Sequence, residues 1–128
     1  MSRIRSIQTD DAPAAIGPYS QAIASAGFLF SAGQIALVPG TGEMVNGDIE
    51  AQARQVFANL QGVLAAAGLG FRDVVKTTVY LATMDDFGAV NAVYGEHFAE
   101  PYPARSTVAA AGLPKGALVE IDVIARIA

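Results

Sequence analysis

The sequence has no cysteine, a single histidine and few charges. Without cysteine there is no disulfide framework, no thiolate nucleophile and no thiolate metal site, and one histidine cannot build a multi-histidine metal site. The usual covalent and zinc chemistries largely drop out, and no metal is expected. Composition leaves a Ser/His/Asp triad open, but nothing in the chain resembles a nucleophile elbow. Also missing is a cluster of Lys or Arg. With 8 basic and 12 acidic side chains the formal charge is −4, so a phosphate-tracking stripe, and with it a nucleic-acid partner, is not expected.

Charged residues make up 16% of the chain, against roughly 25% in an average soluble protein. Hydrophobic residues make up 52%, and that much apolar surface on a small protein predicts burial in an oligomer. A length of 128 residues fits one packed core, so residues 1–128 are expected to form a single domain. From Ala12 to Gly42 no residue is charged, but Pro13, Pro18 and Pro39 break the run and Ser20, Gln21, Ser31 and Gln34 would be costly in lipid. Two strands are expected there and no membrane span. Met1 to Asp11 is polar, without the apolar core of a signal peptide, so the cytoplasm is the expected compartment.

What the chain does contain is a clear alternation of elements. Arg3 to Gln8 reads as an edge strand, Pro13 to Pro18 as a loop, and two short apolar runs around Ser25 to Gly27 as a hairpin ending at Phe28 to Ser31. Gly33 sits inside the continuing apolar run, which predicts a bulge or a backbone that another group approaches closely. Asp48 opens the longest helical pattern, with Ile49, Ala53, Val56, Phe57, Leu60, Val63, Leu64 and Ala67 at three- and four-residue spacings and Gly68 as its stop. Val74 to Leu81 reads as a strand. Thr83 then offers an N-cap, with Asp86 in the capping-box position, for a second helix striped by Phe87, Val90, Tyr94 and Phe98. The strand Arg105 to Ala109, a loop through Gly112, Pro114 and Gly116, and a last strand Leu118 to Ile127 complete the chain.

In that last strand Val119, Ile121, Val123, Ala125 and Ile127 share one face, while Leu118, Glu120, Asp122, Ile124 and Arg126 share the other. The mixed second face suits a sheet that packs on a neighbouring subunit and leaves a small polar pocket. Strands and helices in this order predict an α+β fold, one sheet with two helices packed on one face.

Two side chains stand out chemically. Arg105 offers a planar guanidinium able to grip a carboxylate through two parallel hydrogen bonds; the alternative is an ordinary ion pair. Glu120, on the mixed strand face, is placed to act as a general acid or base on water, the alternative being a solvated glutamate or one paired with Arg126 or Arg105. Asp122 is a like charge on the same face. Tyr19 follows a proline turn and either donates its hydroxyl to a ligand or only packs. Asn91 reaches a pocket edge or faces water. His97, near the end of the second helix, suits a helix-dipole role better than catalysis.

The runs Ala14 to Gln21, Ser31 to Ile35, Val74 to Thr78, Pro103 to Ser106 and Val119 to Ile121 together resemble the RidA/YjgF family of reactive-intermediate deaminases, in order and over nearly the whole chain. The resemblance implies a fold similar to chorismate mutase of the bacillary type, a homotrimer whose sheets form an inner barrel, and sites in clefts between subunits. It implies hydrolysis of short-lived 2-enamine and 2-imino acids, such as 2-iminobutanoate and 2-iminopropanoate, to 2-oxo acids and ammonia without a cofactor. Carried over by position, Arg105 would clamp the substrate carboxylate and Glu120 would activate water. The backbone at Gly33 and Thr107 would bond ligand or water, and Tyr19 and Asn91 would shape the pocket.

Two departures accompany the resemblance. Many relatives carry cysteine where this chain has Thr107, and serine where it has Ala32, with Ser31 a partial substitute on the opposite strand face. A different class of function remains beside the deaminase: a trimer that binds small carboxylic acids without converting them. Ribonuclease or translational-inhibitor activity, ascribed to some relatives, fits poorly with the acidic charge.

Overall fold

The helical pattern that begins at Asp48 folds as α1 (Ile49–Ala66), in a computed structural model that describes residues 3–127. Asp48 caps it, its carboxylate accepting the Ala51 N–H at 3.0 Å, and the chain turns out through Gly68 at φ +75°. The second helix, α2 (Phe87–Gly95), is shorter and begins later than the capping-box pattern predicts. Thr83 does cap, but its hydroxyl accepts the Asp85 N–H, and the turn it opens at Met84–Asp86 is 3-10 in form. Thr83 thus closes the turn locally, through its hydroxyl and its backbone carbonyl, and the apolar stripe takes over only after Asp86, whose side chain makes no cap bond.

Six strands form one sheet: β1 (Ile4–Ile7), β2 (Ala22–Ser25), β3 (Phe28–Ser31), β4 (Val74–Leu81), β5 (Ala104–Ala109) and β6 (Val119–Arg126). Their spatial order is β1-β2-β3-β6-β4-β5, antiparallel throughout except for the parallel pair β4 and β5. The last strand therefore lies in the middle, and β5 is an edge. Met1 and Ser2, at the start of the polar stretch to Asp11, and Ala128, the last residue of the expected single domain, lie outside the described residues. No described helix is long and apolar enough to cross a membrane.

Register fixes which side chains share a face. Thr77, Val79 and Leu81 pair with Val123, Ile121 and Val119, and all six are buried beneath the helices. Phe57 of α1 centres that layer, with the rings of Phe71, Tyr94 and Phe98 edge-on to it and His97 stacked at 4.4 Å. The opposite face carries Phe28, Phe30 and Val108, all exposed, around the half-buried Glu120 and Asp122. One face of the sheet is thus a core and the other an apolar surface with carboxylates set into it.

One glycine shows how loop and helix meet. Gly62 lies in the middle of α1, where alanine normally gains about 1 kcal/mol of helix stability. Here a Cβ would run into the backbone carbonyl of Asp11, so the 9–12 loop packs directly on the helix backbone. The steric term outweighs the propensity: Gly62→Ala is expected to lower stability by about 1–3 kcal/mol in denaturant titration. An increase in stability would show that the loop yields freely.

Candidate active site

The residues singled out in the sequence fall into two groups. Tyr19, Gly33 and Glu120 line one open cleft of ≈ 490 Å3, whose other walls include Ile16, Ala32, Ile35, Pro114 and Lys115. β3 reaches this cleft through an irregularity. An uninterrupted ladder from the Phe30–Ile124 pair would set Gly33 opposite Ile121, but Gln34 takes that place, with paired backbone bonds of 2.9 and 3.1 Å. One extra residue is accommodated, as in a bulge, and Gly33 is left facing Glu120. A Cβ on Gly33 would collide with the Glu120 carboxylate. Bulge and close approach, the two readings of this glycine, are both present.

Glu120 is half-buried, and among the described residues neither Arg126 nor Arg105 pairs with it. Desolvation, followed by the nearby charge of Asp122, raises its pKa. Asp122 accepts the Tyr80 hydroxyl at 3.3 Å, and burial raises its pKa as well, against the Tyr80 bond and the Lys76 charge. The Tyr19 hydroxyl accepts the Ile16 N–H at 3.3 Å and orders the loop at the cleft mouth. Ser31 is no substitute for a hydroxyl at Ala32, because its oxygen accepts the Val123 N–H at 2.9 Å and completes the interrupted ladder.

Arg105, Asn91 and Thr107 form the second group. Arg105 pairs in register with the buried Thr77, so its side chain leaves β5 on the helix side. There Nη1 donates to Asn91 Oδ1 at 2.7 Å, and the guanidinium lies 4.6 Å from the Tyr94 ring centre and 5.4 Å from that of Phe87. Every group holding it is neutral. Arg54, in contrast, is matched by Glu50 at 3.2 Å and Glu96 at 2.8 Å. Arg105 is exposed on the edge strand, and among the described residues no carboxylate pairs with it. Thr107 follows on the same edge strand. Since the Ala110 N–H bonds inward to Leu81, alternation turns the Thr107 backbone groups outward, free to meet a ligand.

The two groups do not meet within one chain. Glu120 pairs with Tyr80, on the face away from the helices, whereas Arg105 pairs with Thr77 on the helix face, and β4 runs between the two strands. Sequence reasoning did not single out Lys115, at φ +56° in the turn beside the cleft, or Tyr94 beneath Arg105. Lys115 stands in a Pro-Lys-Gly turn that signals a loop but no role. Tyr94 reads as core from its spacing, and its contact with Arg105 depends on strand placement. His97 departs from the helix-dipole expectation: it stacks on Phe57, and burial lowers its pKa, disfavouring the cation a helix end would favour. No group of three or more His, Cys, Asp or Glu able to hold a metal occurs among the described residues.

The family model described as endoribonuclease L-PSP matches residues 9–127. The chain belongs to the RidA/YjgF family. It is 59% identical over 121 residues to a RutC family protein of Synechocystis, covering 93% of each chain. It is 48% identical over 119 residues to the mouse 2-iminobutanoate/2-iminopropanoate deaminase, covering 93% of this chain and 88% of the mouse protein. Among solved structures, the conserved Rid-family protein YyfA of Yersinia pestis superposes with a TM-score of 0.94 at 48% identity, over 97% of this chain and 99% of that one. This Rid-family member therefore shares the family's single mixed sheet with two helices, as its sequence predicts.

Proposed function

We propose that the chain hydrolyses small 2-imino and 2-enamine acids, 2-iminobutanoate and 2-iminopropanoate among them, to 2-oxo acids and ammonia. The observation that carries this reading is Arg105: a cation held by an amide and two rings, paired with no carboxylate among the described residues, on an edge strand whose outward backbone groups have no neighbouring strand. A planar carboxylate fits such a group through paired charge-assisted bonds. The chemistry then needs only an oriented water, because an imine carbon is already electrophilic. Water adds to C2 while Glu120 takes its proton. With the imine protonated on nitrogen the adduct is the neutral carbinolamine; Glu120 returns the proton to that nitrogen, and as the C–N bond breaks the hydroxyl proton passes to Glu120, leaving the 2-oxo acid and ammonia. A carboxyl whose pKa is raised towards neutrality suits both directions of transfer.

The opposite-face placement of Arg105 and Glu120 supports an oligomer with sites between subunits, a homotrimer as the family resemblance implies. The apolar outer face of the sheet is the surface such an assembly would cover. The scattered cations, one neutralised by Glu50 and Glu96, give RNA no track to follow. The cytoplasm is the compartment that goes with this reading.

Co-refolding Arg105→Ala chains with Glu120→Gln chains tests this arrangement. With each site drawing its arginine from one copy and its glutamate from the next, random mixing is expected to restore about a quarter of the wild-type sites. Ammonia release by the mixture, absent from either variant alone, is the readout. No recovery in a properly assembled mixture would place both residues in one chain's site and overturn the arrangement. Binding of 2-oxo acids by the wild type without ammonia release would favour a carrier instead.

A further inference from the structure

Phe87, Asn91 and Tyr94 lie on one stripe of α2 and together hold Arg105. Tyr94 differs from the other two. Its ring is the nearer, it is almost wholly buried, and its hydroxyl is fixed by a 2.9 Å hydrogen bond to Thr77 Oγ1. Thr77 is in turn the register partner of Arg105 on the adjacent strand. The contacts close a triangle: β5 to α2 through the guanidinium and ring, α2 to β4 through the two hydroxyls, and β4 to β5 through the ladder.

We propose that Tyr94 is the positioning residue of the carboxylate clamp. Its ring face sets the plane of the Arg105 guanidinium, and the hydroxyl bond to Thr77 sets the ring. The inference rests on the proposed role of Arg105 as carboxylate binder. A long arginine on an exposed edge strand would otherwise search many rotamers and lose that freedom on binding; a ring beneath it orders the fork beforehand. Because both Tyr94 and Asn91 are neutral, the ordering is obtained without satisfying the charge. Asn91 holds one nitrogen, and the ring prevents rotation about that single bond.

The test measures KM and kcat for imine hydrolysis, together with the dissociation constant for pyruvate, in assembled wild type, Tyr94→Leu, Tyr94→Phe and Arg105→Ala. Removing the ring face in Tyr94→Leu is expected to raise KM and the pyruvate constant about 10–30-fold with kcat nearly unchanged; Tyr94→Phe keeps the ring and loses its bond to Thr77, and is expected to restore both to within about threefold, the remaining rise being the share of the hydroxyl bond. A purely structural role would lower thermal stability and leave both constants of the folded protein unchanged, which would overturn the proposal. Should Tyr94→Leu fail to fold, the wild type supplies the test. With labelled arginine, the Arg105 guanidinium signals, assigned by their loss in Arg105→Ala, are expected to be shifted upfield by the ring and split by hindered rotation. A single averaged signal at the ordinary position would overturn it. Arg105→Ala separates the two levels: if it too leaves pyruvate binding unchanged, the carboxylate reading itself fails; if it abolishes binding while Tyr94→Leu does not weaken it, only the positioning role fails.

Discussion

Arg105→Ala is expected to lower kcat/KM for 2-iminobutanoate and 2-iminopropanoate by about 10²–10³-fold, because it removes a pair of charge-assisted hydrogen bonds worth about 1.5–3 kcal/mol each, with partial compensation by water. The size follows from what surrounds the guanidinium. Asn91 and the two rings are neutral, so the substrate carboxylate would be the first anion to meet it. Folding should be little affected, since Arg105 is exposed on an edge strand and no described carboxylate depends on it. Arg105→Lys should recover only a small part of the loss, because an ammonium keeps the charge but neither forks around a carboxylate nor lies flat on Tyr94. The assay couples a dehydratase that releases the imine to detection of ammonia, at equal oligomer concentration. Full activity in Arg105→Ala would remove the carboxylate clamp from the mechanism.

The parts of this protein that could be read from sequence are those governed by local periodicity. The α1 stripe from Ile49 to Ala66 and the alternation of Val119 to Arg126 each report one buried face, and both appear where the pattern puts them. Gly33 was legible for a related reason, since a strand tolerates a missing side chain poorly unless something else needs the room. Arg105 and Glu120 were legible as chemistry but not as geometry. Their relation depends on β6 entering between β3 and β4 and on β5 pairing in parallel with β4, contacts between residues far apart in the chain. No local pattern encodes them. The same limit hid Tyr94, whose spacing with Phe87 and Val90 describes a core residue correctly and says nothing of the arginine above it. His97 was misread because sequence position near a helix end is visible and burial against Phe57 is not.

The mixed strand face has a consequence for stability that runs against activity. Glu120 sits between a glycine that leaves room for its carboxylate and the like charge of Asp122, and its pKa is raised above the ordinary 4.5 by desolvation first and Asp122 second. A carboxyl with a raised folded pKa binds more protons folded than unfolded, so stability falls as pH rises through that interval. The loss is absent below 4.5, develops between the two pKa values and is complete above the folded one. Glu120→Gln removes the charge and keeps the shape. The variant is therefore expected to melt at a higher temperature than wild type near pH 7, with the advantage shrinking to nothing as the pH is brought below 4.5. Its deaminase activity is expected to fall about 10²–10⁴-fold, the usual contribution of a general acid–base. Melting curves across that pH range and ammonia release at pH 7 check the two halves separately. A gain in melting temperature with undiminished turnover would leave Glu120 as a strained bystander. Loss of both would make it a structural residue, whose charge the fold uses rather than tolerates.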